Sequence, residues 1–222
     1  MSRRFLFLAL WVGLVGYAFL LAPPDQPDTL ALIQDLSLGN WSRINPLVVA
    51  LFNLMGVWPL LYSSLVIVDG RSQSFPAWPF AAASFAVGAF ALLPYLVLRR
   101  PSQTFSGPLT WQLRLLDSRW LGALGVIAVL ALGSYGIGGD WADFVNQWQT
   151  SRFIHVMSLD FLLLCLLVPA LLGDDMARRG ASRWFWLTAA VPMLGLALYI
   201  GLRPPLVSGE TAAGPEGSLE AS

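Results

Sequence analysis

Long apolar stretches recur along almost the whole chain and alternate with short polar segments. Each stretch has about 18 to 23 residues, and about 20 helical residues at 1.5 Å per residue cross a hydrocarbon core of about 30 Å. The pattern therefore predicts an all-α protein, a polytopic transmembrane helix bundle of about six spans. The predicted spans are 5–22, 46–68, 76–98, 120–137, 153–172 and 184–202.

The first segment, 1–22, has two features of a signal peptide, because Arg3 and Arg4 precede an apolar core. Cleavage after Ala22 is disfavoured, since Pro23 and Pro24 follow directly. We therefore predict an uncleaved helix for this segment.

Three further regions follow the first segment. Leu30, Ile33 and Leu36 recur at helical spacing within 23–45, which predicts a loop with a short interfacial helix and Asp28 as its N-cap. Residues 46–203 form the predicted five-span bundle. The segment 204–222 holds all three glutamates among Gly, Ala, Ser and Pro, which predicts a disordered acidic tail.

The composition excludes a soluble enzyme core with one anchoring helix. Hydrophobic residues make up 56% of the chain and charged residues 12%, against about 25% charged residues in soluble domains. The net charge is zero and no basic surface is indicated, so nucleic acid is not an expected partner. The expected partners are the lipid bilayer and other membrane proteins. No cofactor is predicted, and a bound pigment or lipid is left open.

Arginine counts in the loops give a divided picture of orientation. With six spans, five arginines fall on the N-terminal side and eight on the opposite side, where 99–119 and 173–183 are the richest loops. Those two loops favour a cytoplasmic or stromal assignment for the opposite side, whereas Arg3 and Arg4 disagree. The conflict would vanish if the first segment were re-entrant or interfacial.

One acidic residue falls inside a predicted span. Asp160 lies about seven residues past Phe153, roughly 10 Å deep at 1.5 Å per residue. An aspartate is too short to reach the interface from there, and burying it unpaired costs several kcal/mol. Asp160 must therefore be neutral, paired or next to water.

Other polar residues are expected near Asp160 on the N-terminal side of the bundle. Three hydroxyls of the second span would lie at nearly its depth, and charged residues would cap the two helices on that side. One interpretation is a buried hydrogen-bond network that fixes helix packing, and the other is a ligand or proton site. The candidate binding residues are Tyr62, Ser63, Ser64, Asp69, Arg71, Arg152, His155 and Asp160, with Asp160 also the only candidate catalytic residue.

Two further features limit the chemistry. His155 is the only histidine and Cys165 the only cysteine, so no metal site and no internal disulfide are predicted. The sequence Asp174-Asp175-Met176-Ala177-Arg178-Arg179 does not match a known diphosphate motif. It is typical of a solvated loop whose arginines contact anionic headgroups, and a docking surface for a partner is the alternative.

Several motifs between residues 45 and 203 resemble a family of small polytopic membrane proteins of cyanobacteria and plant chloroplasts. No biochemical activity is assigned to that family, so the resemblance implies no catalytic residues. It implies a thylakoid or plasma membrane of a photosynthetic organism, with the N-terminal side facing the lumen. The motifs are Asn45-Pro46, Phe52-Asn53-Leu54-Met55-Gly56-Val57-Trp58-Pro59, Asp69-Gly70-Arg71, Pro76-Ala77-Trp78-Pro79-Phe80, Ser151-Arg152-Phe153-Ile154-His155 and Leu159-Asp160-Phe161.

Three functions are consistent with these features. The first is a non-catalytic factor that assembles, stabilises or regulates a photosynthetic membrane complex. The second is a membrane enzyme that acts on a lipid, isoprenoid or carotenoid, with Asp160 as the acid. The third is a small transporter or proton relay that uses Asp160.

Overall fold

The computed structural model describes residues 3–105 and 110–206, and the described residues form helices and loops with no strands. This confirms the all-α part of the predicted fold class. Most of the predicted acidic tail lies outside the described residues. The helices are α1 (Arg3–Leu20), α2 (Thr29–Leu38), α3 (Pro46–Asp69), α4 (Trp78–Val87), α5 (Ala89–Leu98), α6 (Trp111–Leu116), α7 (Arg119–Ile137), α8 (Trp141–Thr150), α9 (Arg152–Arg178), α10 (Phe185–Ala190) and α11 (Pro192–Leu202).

Four of the described helices are long and apolar enough to cross a membrane, namely α1, α3, α7 and α9. They correspond to the predicted first, second, fourth and fifth spans. The longest, α9, has 27 residues, which gives a length of about 40 Å at 1.5 Å per residue.

The third and sixth predicted spans are each broken into two short helices, so a six-span bundle is not confirmed. Between α4 and α5 the chain turns at Gly88, whose φ of 51° favours glycine. Between α10 and α11 it turns at Val191 and Pro192. Proline lacks the N–H that a continuing helix needs, and the residue before it is held out of helical geometry. The two segments form helical hairpins, each about half as deep as a span.

Both hairpins begin and end at the same end of the bundle. After the first hairpin, Arg99 binds Asp69 at the end of α3. After the second, Arg203 binds Asp175 near the end of α9. We call this the arginine end, where α3, α5, α9 and α11 terminate, and we call the opposite end, which holds His155, the histidine end.

The two halves of the chain repeat one order of elements in one orientation. In each half a long helix leaves the arginine end, a ten-residue helix lies at the histidine end, and a second long helix returns. A 3-10 turn and a helical hairpin follow. The first half comprises α1 to α5, and the second comprises α7 to α11.

Packing within the two halves is also alike. The hairpin helix α5 packs against α1, and α11 packs against α7. Gly122 of α7 lies so close to α11 that an added Cβ would clash with the backbone of Gly201. This explains part of the glycine content of the fourth predicted span. The two central helices, α3 and α9, contact each other and join the halves.

The short helices at the histidine end are α2 and α8. A short helix is present at the predicted position, as α2, although the Asp28 side chain makes no capping hydrogen bond to it. The sequence pattern did not predict α8, which begins at Trp141 directly after Asp140. The Asp140 side chain caps α8 by accepting hydrogen bonds from the backbone N–H groups of Ala142 and Asp143.

Candidate functional site

A cavity of about 540 Å³ extends from the histidine end to the turn of the first hairpin. Asp25 and Arg152 stand at its outer part, and Gly88 and Asp160 lie at its inner part. The volume is in the range of ligand pockets, about 300 to 1,000 Å³. The cavity thus joins an exposed end of the bundle to the one acidic residue inside its apolar part.

Asp160 caps α5, a helix that starts inside the bundle. Its Oδ1 accepts a hydrogen bond of 2.7 Å from the backbone N–H of Ala89, the first residue of α5. Helix N-termini carry unsatisfied N–H groups and a partial positive charge, so a carboxylate is stabilised there. At 1.5 Å per residue Asp160 lies about 12 Å along α9 from Arg152, and it is 4% exposed.

The turn of the first hairpin lies directly against Asp160, and α1 holds it there. A Cβ added at Gly88 would clash with the Asp160 carboxylate, so only glycine fits between α4 and α5. On the other side, Trp11 of α1 donates a hydrogen bond of 3.0 Å from Nε1 to the carbonyl of Phe90. The carboxylate is therefore positioned by three helices, α1, α5 and α9.

The cavity wall is mainly apolar and aromatic. Its side chains include Phe52, Met55 and Met157 from the two central helices. Phe19 and Phe85 also line the cavity and are 71% and 52% exposed on the outer surface of the bundle. The cavity can therefore be reached from the apolar flank as well as from the histidine end.

Arg152 fixes the outer part of the cavity. Its guanidinium binds the Asp25 carboxylate at 2.9 Å and the carbonyl of Pro23 at 3.0 Å. These contacts tie the start of α9 to the loop between α1 and α2. Arg152 thus lies in the same cavity as Asp160, about 12 Å away along the helix axis.

His155 is a packing residue in this structure. Its ring stacks between Trp148 at 4.2 Å and Tyr17 at 5.6 Å between ring centroids. Both ring nitrogens are within hydrogen-bond distance of these two residues, at 2.8 Å from the Trp148 carbonyl and 2.9 Å from the Tyr17 hydroxyl. Within the described residues no group of three or more His, Cys, Asp or Glu side chains could hold a metal ion.

A first buried ion cluster lies at the arginine end. Arg99 donates to both oxygens of Asp69, at 2.6 and 2.8 Å, and to Asp174 at 2.6 Å. Arg178 binds Asp69 at 2.6 Å, and the Tyr95 hydroxyl donates to the same carboxylate at 2.5 Å. Two aspartates and two arginines balance their charges, as burial of ions requires.

A second buried ion cluster at the same end has the same composition. Asp175 accepts from Arg179 at 3.0 Å, from Arg203 at 3.2 Å and from the Tyr199 hydroxyl at 2.8 Å. Asp117 binds Arg179 at 2.7 Å and Arg203 at 3.1 Å. Asp175 Oδ1 and Arg203 Nε are buried without a hydrogen-bond partner among the described residues.

The expectation of a solvated loop at 174–179 is wrong. Asp174 and Arg178 belong to the first cluster, and Asp175 and Arg179 belong to the second. Neighbouring residues on a helix point in different directions, so the last residues of α9 together with its C-cap Arg179 supply both clusters. The motif joins the two hairpins at the arginine end.

The two clusters differ in how well they compensate their arginines. Burial by itself lowers the pKa of Arg99, but the hydrogen bonds and charges of Asp69 and Asp174 outweigh it and raise the pKa. Burial also lowers the pKa of Arg203, and there Asp175 offsets the effect only in part. Arg203 is thus the less well paired of the two equivalent arginines.

The structure does not bring the eight predicted site residues together. Asp69 and Arg71 lie at the arginine end, whereas Arg152 and His155 lie at the histidine end. Counting 76–98 as a crossing placed these two pairs on one side of the bundle. Because that segment is a hairpin, every loop and helix end between the first and the second hairpin lies at the end of the bundle opposite to the predicted one.

The three predicted hydroxyls do not hydrogen-bond to Asp160. Tyr62 donates to the carbonyl of Leu164 at 2.5 Å, and Ser64 donates to the carbonyl of Leu61 at 2.8 Å. Ser63 is buried in the same turn of α3. The partner of Asp160 is instead the backbone N–H of Ala89, which no side-chain pattern could indicate.

No family model matches this chain, and no curated protein or solved structure matches it in sequence or fold.

Proposed function

We propose that the chain is an integral membrane protein with four crossing helices and two hairpins that enter from the arginine end. Eleven of the thirteen arginines lie at that end, and only Arg43 and Arg152 lie at the other. This asymmetry is much larger than the five against eight of a six-span arrangement. By the positive-inside rule it supports a cytoplasmic or stromal position for the arginine end, together with the N-terminus.

The proposed function is the binding of a membrane-soluble amphiphile in the cavity that Asp160 lines. The observation that carries it is a carboxylate at the inner part of a mainly apolar cavity, fixed there by the N-terminus of a half-length helix. An ionisable residue at such depth is costly and marks a functional site by default. Half-length helices that start inside a bundle are a recurring way to build such sites.

The chemistry of the cavity indicates the class of ligand. Asp160 can pair with a hydroxyl or amine group, while Phe52, Met55 and Met157 offer apolar surface to a hydrocarbon body. Phe19 and Phe85 line the cavity and are exposed on the outer surface, so a ligand can enter the cavity from the lipid side. The ligand therefore combines an apolar chain or ring with one hydrogen-bond donor.

A membrane enzyme that acts on a lipid, isoprenoid or carotenoid is the second candidate. The same observation favours it, because Asp160 could donate or accept a proton at a substrate atom within hydrogen-bond reach. A proton relay has less support, since Trp58, Tyr62 and Leu164 fill the next turn toward the arginine end and are fully buried. The assembly role and the photosynthetic membrane stay predictions.

Carbodiimide labelling tests the binding proposal. The apolar reagent dicyclohexylcarbodiimide modifies carboxyl groups that it reaches from apolar surroundings, and mass spectrometry of peptides locates the product. We expect modification at Asp160, and we expect the aspartates of the two ion clusters to stay unmodified. Dodecanol should slow the labelling of Asp160, whereas dodecane, with the same chain and no donor, should have a much smaller effect.

The Asp160→Asn variant is the matched control. Asparagine can still accept the hydrogen bond from Ala89, and it is as good an N-cap as aspartate, so the fold should be retained. The variant should lose the labelled peptide. Equal protection by dodecanol and dodecane, or labelling confined to other aspartates, would contradict the proposal.

A further inference from the structure

A second cavity, of about 580 Å³, lies along the seam between α10 and α11. It shares no lining residue with the cavity of Asp160. Its walls are apolar along most of their length, with Leu187, Val191 and Leu198 among the exposed side chains. This seam therefore forms an open groove on the outer surface of the second hairpin.

The length of the groove matches one leaflet of a bilayer. It follows α11, which has 11 residues and is about 16 Å long at 1.5 Å per residue. Half of a hydrocarbon core of about 30 Å has nearly the same depth. A single acyl chain that enters from the arginine end would end near the turn at Val191.

Two arginines stand where such a chain would carry its headgroup. Arg183 is exposed and lies over the Trp184 ring, 5.1 Å from its centroid, and it forms no ion pair with any described residue. Arg203 lines the same groove from inside and is 3% exposed. Its Nε, buried without a partner among the described residues, is a donor that the ion cluster leaves unused.

We propose that this groove binds an anionic phospholipid of the arginine-end leaflet, with one acyl chain along α11 and the phosphate between Arg183 and Arg203. Guanidinium groups are suited to phosphate oxygens, and tryptophan is favoured at the headgroup level. The apolar seam supplies the contact area, Arg183 supplies the preference for negative charge, and Arg203 adds a hydrogen-bond donor. The site is independent of Asp160 and of its ligand.

Native mass spectrometry of the whole protein tests this site. The protein is released from nanodiscs of equimolar dioleoyl phosphatidylglycerol and dioleoyl phosphatidylcholine, and the ratio of the two retained lipids is measured. We expect phosphatidylglycerol to be preferred. Arg183→Gln should lower the ratio about fivefold, which corresponds to about 1 kcal/mol for one basic residue near anionic headgroups.

Two variants and one competitor separate the causes. Arg43→Gln removes an exposed arginine at the histidine end and should leave the ratio unchanged. Leu198→Trp fills the groove and should remove the retained lipid while circular dichroism stays that of the unmodified protein. Excess inorganic phosphate should not displace the lipid, because the acyl chain contributes most of the binding.

Three results would overturn the proposal. The first is an equal ratio for Arg183→Gln and Arg43→Gln, which would show that Arg183 does not contact the headgroup. The second is retention of phosphatidylglycerol by Leu198→Trp. The third is displacement by phosphate alone, which would indicate a free-anion site rather than a lipid site.

Discussion

The hairpins of the two halves end alike and turn differently. Each ends in Tyr-x-x-x-Arg, as Tyr95 to Arg99 and as Tyr199 to Arg203, and each tyrosine and arginine share one buried aspartate. The turns have no such correspondence. The first turn is a glycine against Asp160, and the second is Val191 and Pro192.

The shared feature teaches where the fold is anchored. A helix that returns to its starting end needs a fixed point there, and a charge-balanced cluster of two aspartates and two arginines supplies one for each hairpin. Breaking a buried ion pair leaves an uncompensated charge, which strongly destabilises the fold. We infer that the ends of the hairpins serve stability.

The unshared feature supports the proposed binding role of Asp160. Asp160 belongs to the second half but caps the hairpin of the first half. Counted from the start of each central helix, the position on α3 that corresponds to Asp160 is Leu54, which cannot cap α11 with a carboxylate. The second hairpin therefore forms without the kind of acid that caps the first.

The largest expected effect comes from removing the first anchor. Arg99→Ala leaves Asp69 and Asp174 buried with one arginine between them, so we expect a loss of about 3–5 kcal/mol in the free energy of unfolding. Chemical denaturation in detergent, extrapolated to zero denaturant, measures it. Arg100→Ala is the control, because Arg100 is exposed and next in sequence. Equal stability of the two variants would refute the role of the cluster as an anchor.

A smaller effect is expected at the first turn. Gly88→Ala places a Cβ against the Asp160 carboxylate at a φ of 51°, where an L residue loses about 1–2 kcal/mol from its backbone alone. We expect a lower melting temperature and altered carbodiimide labelling of Asp160. Gly133→Ala, where an added Cβ meets no atom within 4 Å, should leave the labelling unchanged and should not lower the melting temperature, because alanine is the better helix former. Identical labelling of Asp160 in the two variants would show that the turn does not position its carboxylate.

The smallest expected effect is the difference between two matched variants, which tests whether the two ends are equivalent. Tyr95→Phe and Tyr199→Phe each remove one hydroxyl that donates to a buried carboxylate, at 2.5 and 2.8 Å. A hydrogen bond to a charged group contributes about 1.5–3 kcal/mol. Chemical denaturation should show that the two variants lose a similar part of the free energy of unfolding. A loss at one site only would mean that the clusters stabilise the halves differently.

The sequence predicts much of the helical content but not the hairpins. Apolar composition is required of a crossing helix and equally of a hairpin buried at the same depth, so 76–98 and 184–202 resembled spans. Gly88 and Pro192 were the available signals, since both interrupt a helix. Whether these residues mark a kink or the turn of a hairpin depends on the contacts of Arg99 and Arg203 with the ends of α3 and α9. Those are tertiary contacts, which the local sequence does not contain.

The candidate site shows the same limit. The depth of Asp160 alone identifies it as a candidate, because burying an unpaired acid in an apolar span is costly. Its partner, the backbone N–H of Ala89, is 71 residues away and exists only because α5 starts inside the bundle. The pairs Asp174 with Arg178 and Asp175 with Arg179 had visible helical spacing, but the residues that bury them come from distant parts of the chain.

The most direct measurement is the side from which single cysteines react with a membrane-impermeant maleimide. In a Cys165→Ser background, the exposed residues Ser42, Ser74 and Ser182 are each replaced by cysteine. Two crossing helices and a hairpin in each half predict that Ser74→Cys and Ser182→Cys react from one side and Ser42→Cys from the other. Reaction of Ser74→Cys and Ser182→Cys from opposite sides, as six spans require, would contradict the account.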